Sequence, residues 1–241
     1  MIKLETHCHT FGTSSCADTD NKTLIEKFVK AGYKGIIVNN HFSPDTYARY
    51  MNGETHEEKI DSFFGFYDEF KKECEKVGIR VFYGAEIRVK DSRVKGYGTE
   101  YAVIGFEKRV FYENPPLFTL SQEELFNLAE KEGAFMYQTH PFRTNVLAGN
   151  PKFLHGAEVF NGHYHHYNNN DLAREFCKEN NLIGMSGTDF HHKDQPITAG
   201  IYIPEEITDE KQLVDYIFEN KFTRIEEEKE YLTALKRYKG E

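Results

Sequence analysis

The feature that most limits the fold of this chain is its alternation. Short apolar runs of strand character trade places with longer segments of helical period from one end to the other. Ile2–Thr6, Gly35–Asn39, Arg80–Tyr83, Tyr101–Phe106, Ala134–Gln138, Gly156–Phe160, Leu182–Ser186, Gly200–Ile203 and Phe222–Ile225 read as strands. Between them lie helical patterns. Thr19–Ala31 carries Leu24, Phe28 and Ala31 on one face, with Gly32 as a stop, and Glu57–Val77 carries Ile60, Phe63, Phe64, Tyr67, Phe70 and Cys74 at helical spacing. Ser121 and Glu124 form a capping-box signature for a helix running to about Glu132. Asp171–Asn180 and Asp209–Glu219 read as further helices, and Glu226 to Glu241 as a charged, peripheral C-terminal helix. Strand–helix alternation over the whole length predicts an α/β fold on a mostly parallel sheet. Seven or eight such units without a linker or repeat predict one domain, 1–241, built as a (β/α) barrel.

A parallel barrel presents its chemistry at the C-terminal ends of its strands. Here those ends carry ionisable residues. His7 and His9 follow the first strand, His41 the second and Glu86 the third; His140 ends a middle strand, and Asp189 and His191 follow Leu182–Ser186. In extended chain, residues i and i+2 point the same way, so His7 and His9 can grip one ion together, and Asp189 and His191 repeat the device. Glu86 has two oxygens and can bridge two ions. Pro141 is expected to bias His140 towards an extended backbone. A lone histidine is more often a surface or core residue than a ligand. Seven such residues in five segments, each after a strand pattern, are better explained as one metal site for zinc, manganese or iron.

Composition narrows the partners. A net charge of −9 argues against a general nucleic-acid surface or an anionic membrane, both of which need clustered cations. No apolar run approaches the roughly 20 residues of a membrane span. Four scattered cysteines suit a reducing compartment, and the polar N-terminal segment shows no signal-peptide pattern, so a cytoplasmic enzyme is expected.

The pieces THCHT, NNHF, YGAEI, THPFR, EVFNG and SGTDFH, in this order from Ile2 to about His191, resemble the PHP superfamily, named for polymerase and histidinol phosphatase. The resemblance implies a distorted (β/α)7 barrel with two or three divalent ions, held by His7, His9, His41, Glu86, His140, Asp189 and His191. It implies hydrolysis of a small phosphomonoester by a metal-activated water, with Glu86, Asp189 and His191 in catalytic positions. Histidinol phosphate, a nucleotide monophosphate and a sugar phosphate are all open as that substrate. Arg143 and Arg88 are the expected phosphate contacts. Two places depart from the family pattern. After HxH the chain reads Gly12-Thr13-Ser14-Ser15-Cys16, which leaves Cys16 or Asp18 to stand in for a ligand, and Glu100-Tyr101-Ala102 offers no histidine. In the loop Asn161–Asn170, His166 is expected to reach the substrate or complete the ligand set, whereas His163 and His165 read as a polar surface loop. Cys8 should turn away from its histidine neighbours.

Three rivals remain at this level. A nuclease of the same superfamily needs a positive channel, which the acidic balance disfavours. An amidohydrolase also opens with HxH, but the closing Asp189-Phe190-His191 fits the phosphoesterase order better. A metal-stabilised module without activity is the third. Metal identity, substrate and oligomeric state stay open.

Overall fold

The computed structural model describes residues 1–91, 93 and 98–241. Its strands are β1 (Ile2–Cys8), β2 (Tyr33–Val38), β3 (His41–Phe42), β4 (Arg80–Val89), β5 (Thr99–Ile104), β6 (Phe135–Gln138), β7 (Gly156–Asn161), β8 (Ile183–Gly187), β9 (Ala199–Ile203) and β10 (Arg224–Glu226). The helices are α1 (Asn21–Lys30), α2 (Pro44–Arg49), α3 (His56–Glu75), α4 (Lys108–Glu113), α5 (Gln122–Glu132), α6 (Asn170–Asn180), α7 (Glu210–Phe218) and α8 (Glu228–Lys239). One sheet runs in the order β10-β9-β1-β2-β4-β5-β6-β7-β8, with β3 paired to β4. It curls until its ends nearly meet. Cys8 bridges Phe190 just past β8, the His9 amide donates to the Phe190 carbonyl at 3.1 Å, and the Thr6 hydroxyl donates to the Ser186 carbonyl at 2.6 Å. The result is a distorted barrel of seven strands (β1, β2, β4, β5, β6, β7, β8), with β9 and β10 antiparallel at the β1 edge. Among the described residues, no helix is long and apolar enough to cross a membrane.

The period of two along the strands divides the core. Ile37 joins Leu4, Phe82, Phe135, Met185 and the α7 residues Leu213, Val214 and Ile217 in one apolar cluster, while its neighbours Ile36 and Val38 join a second cluster with Phe28 of α1 and Phe63 and Phe70 of α3. Cys8 packs in that second cluster, away from the histidines beside it. Local signals set the helix starts. Asp20 caps α1, and capping boxes at Thr55/Glu58 and Ser121/Glu124 start α3 and α5.

Four expectations need correction. The mostly parallel sheet expected from the alternation is interrupted at β5, which is antiparallel to both β4 and β6, as well as at the β9 and β10 edge. The N-terminal end of β5 therefore reaches the site rim. Glu86 does not end a strand: β4 continues to Val89, because β5 pairs with it from Gly84 onward. His140 is not extended; its φ is +33°. Its amide donates to Glu158 Oε2 at 2.9 Å, and that bond, with the pull of its ring into the site, outweighs the bias set by Pro141. Finally, α8 is not merely a solvated surface element. Tyr231 and Leu235 are buried against Phe160 and Ala199, and the Tyr231 hydroxyl donates to the His166 carbonyl at 2.9 Å.

Candidate metal centre

All seven expected donors converge at the rim, and a residue missed in the sequence reading joins them. His7 and His9 leave β1 on one face, their Nε2 atoms 3.1 Å apart. Asp189 Oδ1 lies 3.5 Å from His7 Nε2 and 3.4 Å from His9 Nε2, and Glu86 Oε1 lies 3.4 Å from His7 Nε2. On the other side of Glu86, His41 Nδ1 is 2.6 Å from Oε2 and His140 Nε2 is 3.2 Å from Oε1. Glu100, carried to the rim by the reversed β5, completes this side at 3.7 Å from His41 and 3.5 Å from His140. A third group gathers His9, His41 and His191, with His41 and His191 Nε2 atoms 3.4 Å apart and Cys16 Sγ 3.4 Å from His41 Nε2. Asp18 instead turns outward to His192 Nδ1 at 3.1 Å. Of the two stand-ins after HxH, Cys16 is therefore the one facing the centre.

Backbone strain accompanies these positions. Asp189 (φ +53°) and His140 (φ +33°) both sit in the left-handed region, a cost held only where the surroundings over-determine it. The supporting residues show how. Glu158 Oε1 lies 3.0 Å from His7 Nδ1, and Asn161 Nδ2 donates to Glu158 Oε2 at 2.8 Å. This carboxylate behind a histidine orients the ring and leaves Nε2 facing the centre. Gly187 makes room for it: a Cβ there would lie 2.5 Å from His7 Cβ and 2.6 Å from Glu158 Oε1. Gly187→Ala is expected to cost about 1–3 kcal/mol by overpacking and to weaken metal binding with it. An unchanged denaturant midpoint would mean that His7 and Glu158 can yield.

Charge is balanced inside the centre. Burial raises Glu86 and Asp189, but His41 and His7 for Glu86, and His7, Arg143 and His191 for Asp189, outweigh it and hold both well below the usual carboxylate range. His191 is pushed up to about 9: burial alone would lower it, and Asp189 more than reverses this. Cys16 falls to about 5, burial notwithstanding, because His191 and His41 stabilise its thiolate. Protons thus stand where cations would. His41 Nδ1 and Glu86 Oε2 stand 2.6 Å apart as a close ion pair of poor hydrogen-bond geometry, and His9 Nδ1 and His140 Nδ1 are buried with no hydrogen bond among the described residues. Donors packed this closely yet imperfectly paired suit divalent ions at their common centre.

Arg143 spans the rim. It donates to Asp189 Oδ2, to Asn161 Oδ1 at 3.1 Å and through Nε to Asn168 Oδ1 at 3.1 Å, while Nη1 has no hydrogen bond among the described residues. Arg88 donates through Nε to Glu100 Oε1 at 2.8 Å and so lies outside that carboxylate. His166 is exposed and joins no donor group among the described residues, whereas His163 and His165 form one with His192.

Below the centre lies Glu5, fully buried. Its Oε1 accepts from the amides of Thr6 (3.0 Å), His7 (2.8 Å) and Thr188 (2.8 Å), while Oε2 has no partner among the described residues. Burial raises its pKa from 4.5 to about 7 against the pull of these bonds. A raised carboxyl adds stability that is complete below the unfolded value and lost as pH rises through the folded one. Glu5→Gln removes that dependence. In chelator-stripped protein, the stability of the variant relative to the parent is expected to rise between pH 5 and pH 8, by on the order of 3 kcal/mol. A difference that stays flat in urea titrations at the two pH values would count against an ionising Glu5.

No family model matches the sequence, and no curated protein matches it. Solved structures do match the fold. A two-domain protein from Bacteroides vulgatus, described as containing a predicted PHP-like metal-dependent phosphoesterase, aligns over 97% of this chain and 69% of its own, at 16% identity and a TM-score of 0.65. PsfC from Pseudomonas syringae aligns over 98% and 97%, at 13% identity and a TM-score of 0.67. Endonuclease Q, in complex with a duplex carrying an abasic lesion at the active site, aligns over 93% and 58%, at 12% identity and a TM-score of 0.60. The fold is that of PHP-like metal-dependent phosphoesterases. Because a nuclease shares it, the acidic composition does not by itself exclude a nucleic-acid substrate.

Proposed function

We propose that this chain is a metal-dependent phosphoesterase of the PHP type that hydrolyses a small phosphomonoester. One observation carries the reading: His7, His9, His41, Glu86, Glu100, Asp189 and His191 form overlapping donor groups, with His140 against Glu86 and Glu100, Cys16 at one end and Arg143 over the rim. Divalent ions bound there would supply Lewis acidity, activating water near neutral pH and drawing charge from phosphoryl oxygens. Glu86 lies between the groups and holds them together. His7, His9 and Asp189 would bind at one end, Glu100 and His140 beside Glu86, and His41, His191 and Cys16 at the other end. Arg143 orients the phosphate through its free Nη1 edge while its Nη2 edge stays on Asp189. A thiolate beside imidazoles favours zinc or iron over manganese at that end.

The test is elemental analysis of protein purified without chelators, with p-nitrophenyl phosphate turnover in the same sample. At least two equivalents of metal and turnover are expected. No metal even after reconstitution would end this reading. The Endonuclease Q likeness supports nuclease action as a second reading, and cleavage of an abasic duplex without phosphomonoesterase activity would favour it.

A further inference from the structure

Outside that centre the rim carries a second imidazole group. His163 and His165 come from the loop after β7, and His192 from the segment after β8; their donor nitrogens lie within 4.8 Å of one another. The rings of His165 and His192 are 4.5 Å apart, those of His163 and His165 5.1 Å, and those of His163 and His192 5.7 Å. From a third segment, Asp18 holds His192 Nδ1 at 3.1 Å. A carboxylate in that position fixes the tautomer that frees Nε2 for an ion. We propose that His163, His165 and His192, supported by Asp18, bind an additional divalent transition-metal ion of the zinc class, separate from the ions of the central donor set.

Three features support the site. Its residues come from separate segments, so tertiary folding rather than chance spacing brings them together. The scaffold around it is built: Tyr238 of α8 stacks on His165 at 3.9 Å, Tyr164 meets the same ring at 4.3 Å, and Tyr231 anchors the loop through the His166 carbonyl and the Asn168 amide. The competing contact is weak. The His165 amide reaches His163 Nδ1 at 3.3 Å, a long bond that an ion can replace. Three imidazoles suit zinc, copper or nickel rather than magnesium or calcium. The site adjoins the central one, with the His163 ring 5.1 Å from that of His191. An ion there would add positive charge at the lip of a chain whose net charge is −9.

The experiment counts zinc. The chelator-stripped full chain is titrated with Zn2+ against a chromophoric competitor, alongside His165→Ala and the double variant His165→Ala/His192→Ala, with circular dichroism confirming the fold. Each variant is expected to bind one equivalent fewer than the parent. If alanine prevents folding, His165→Gln carries the same comparison. Equal stoichiometry in parent and folded variants would overturn the proposal. A parent that binds one equivalent, lost in the variants, would keep this site and instead remove the central reading.

Discussion

Asp189→Asn is expected to lower kcat by more than the roughly 10–100-fold that loss of an outer supporting residue costs, and to remove about one equivalent of bound metal. The reason is local. Asp189 Oδ1 lies 3.5 Å from His7, 3.4 Å from His9 and 3.2 Å from His191, and Oδ2 takes Arg143. Asparagine keeps the volume and one acceptor for the guanidinium, so the fold should survive. It loses the negative charge that offsets a cation among these imidazoles. The left-handed backbone at Asp189 (φ +53°) also tolerates asparagine better than most residues. Turnover with p-nitrophenyl phosphate, metal content and circular dichroism would be read on the same preparation. Full activity in a folded variant would take Asp189 out of the mechanism. Loss of activity with unchanged metal content would place it with the substrate.

Chelation is the second large effect. Ions that bind the folded chain and not the unfolded one stabilise it by RT ln(1 + [L]/Kd), about 4 kcal/mol at a thousandfold excess over Kd. For a chain of this length that corresponds to roughly 8–16 °C in Tm. The stripped protein is expected to melt lower by about that amount and to recover when zinc returns. The donors explain the size: Glu86, His7, His9 and Asp189 are essentially buried, and without ions their balance depends on protons at His7, His41 and His191. Identical melting curves with and without chelator would show that these protons suffice, and would count both against ions at this centre and against a metal-stabilised module.

Much of the fold was legible in the chain because it rests on local signals. Periods of two and 3.6 mark β1, β2, α1, α3 and α5, and the capping residues Ser121 and Glu124 act where the spacing puts them. The i, i+2 pairs His7/His9 and Asp189/His191 were visible for the same reason, since extended backbone projects both side chains to one side. Glu100 was not visible. Nothing local reveals that β5 runs antiparallel, and strand direction decides which end of a strand meets the rim. Glu158 stood inside EVFNG, but its partnership with His7 spans β1 and β7 and depends on barrel closure. The choice between Cys16 and Asp18 turned on where a loop of small and polar residues folds back, and His163 and His165 gained a partner only because the chain after β8 comes beside their loop. The sequence by itself thus determined most of the elements, their order and the seven candidate donors, of which Glu86 lies inside β4 rather than after it. Tertiary structure alone decided the remaining members of the centre, because their positions depend on strand direction, closure and loop packing between residues far apart in the chain.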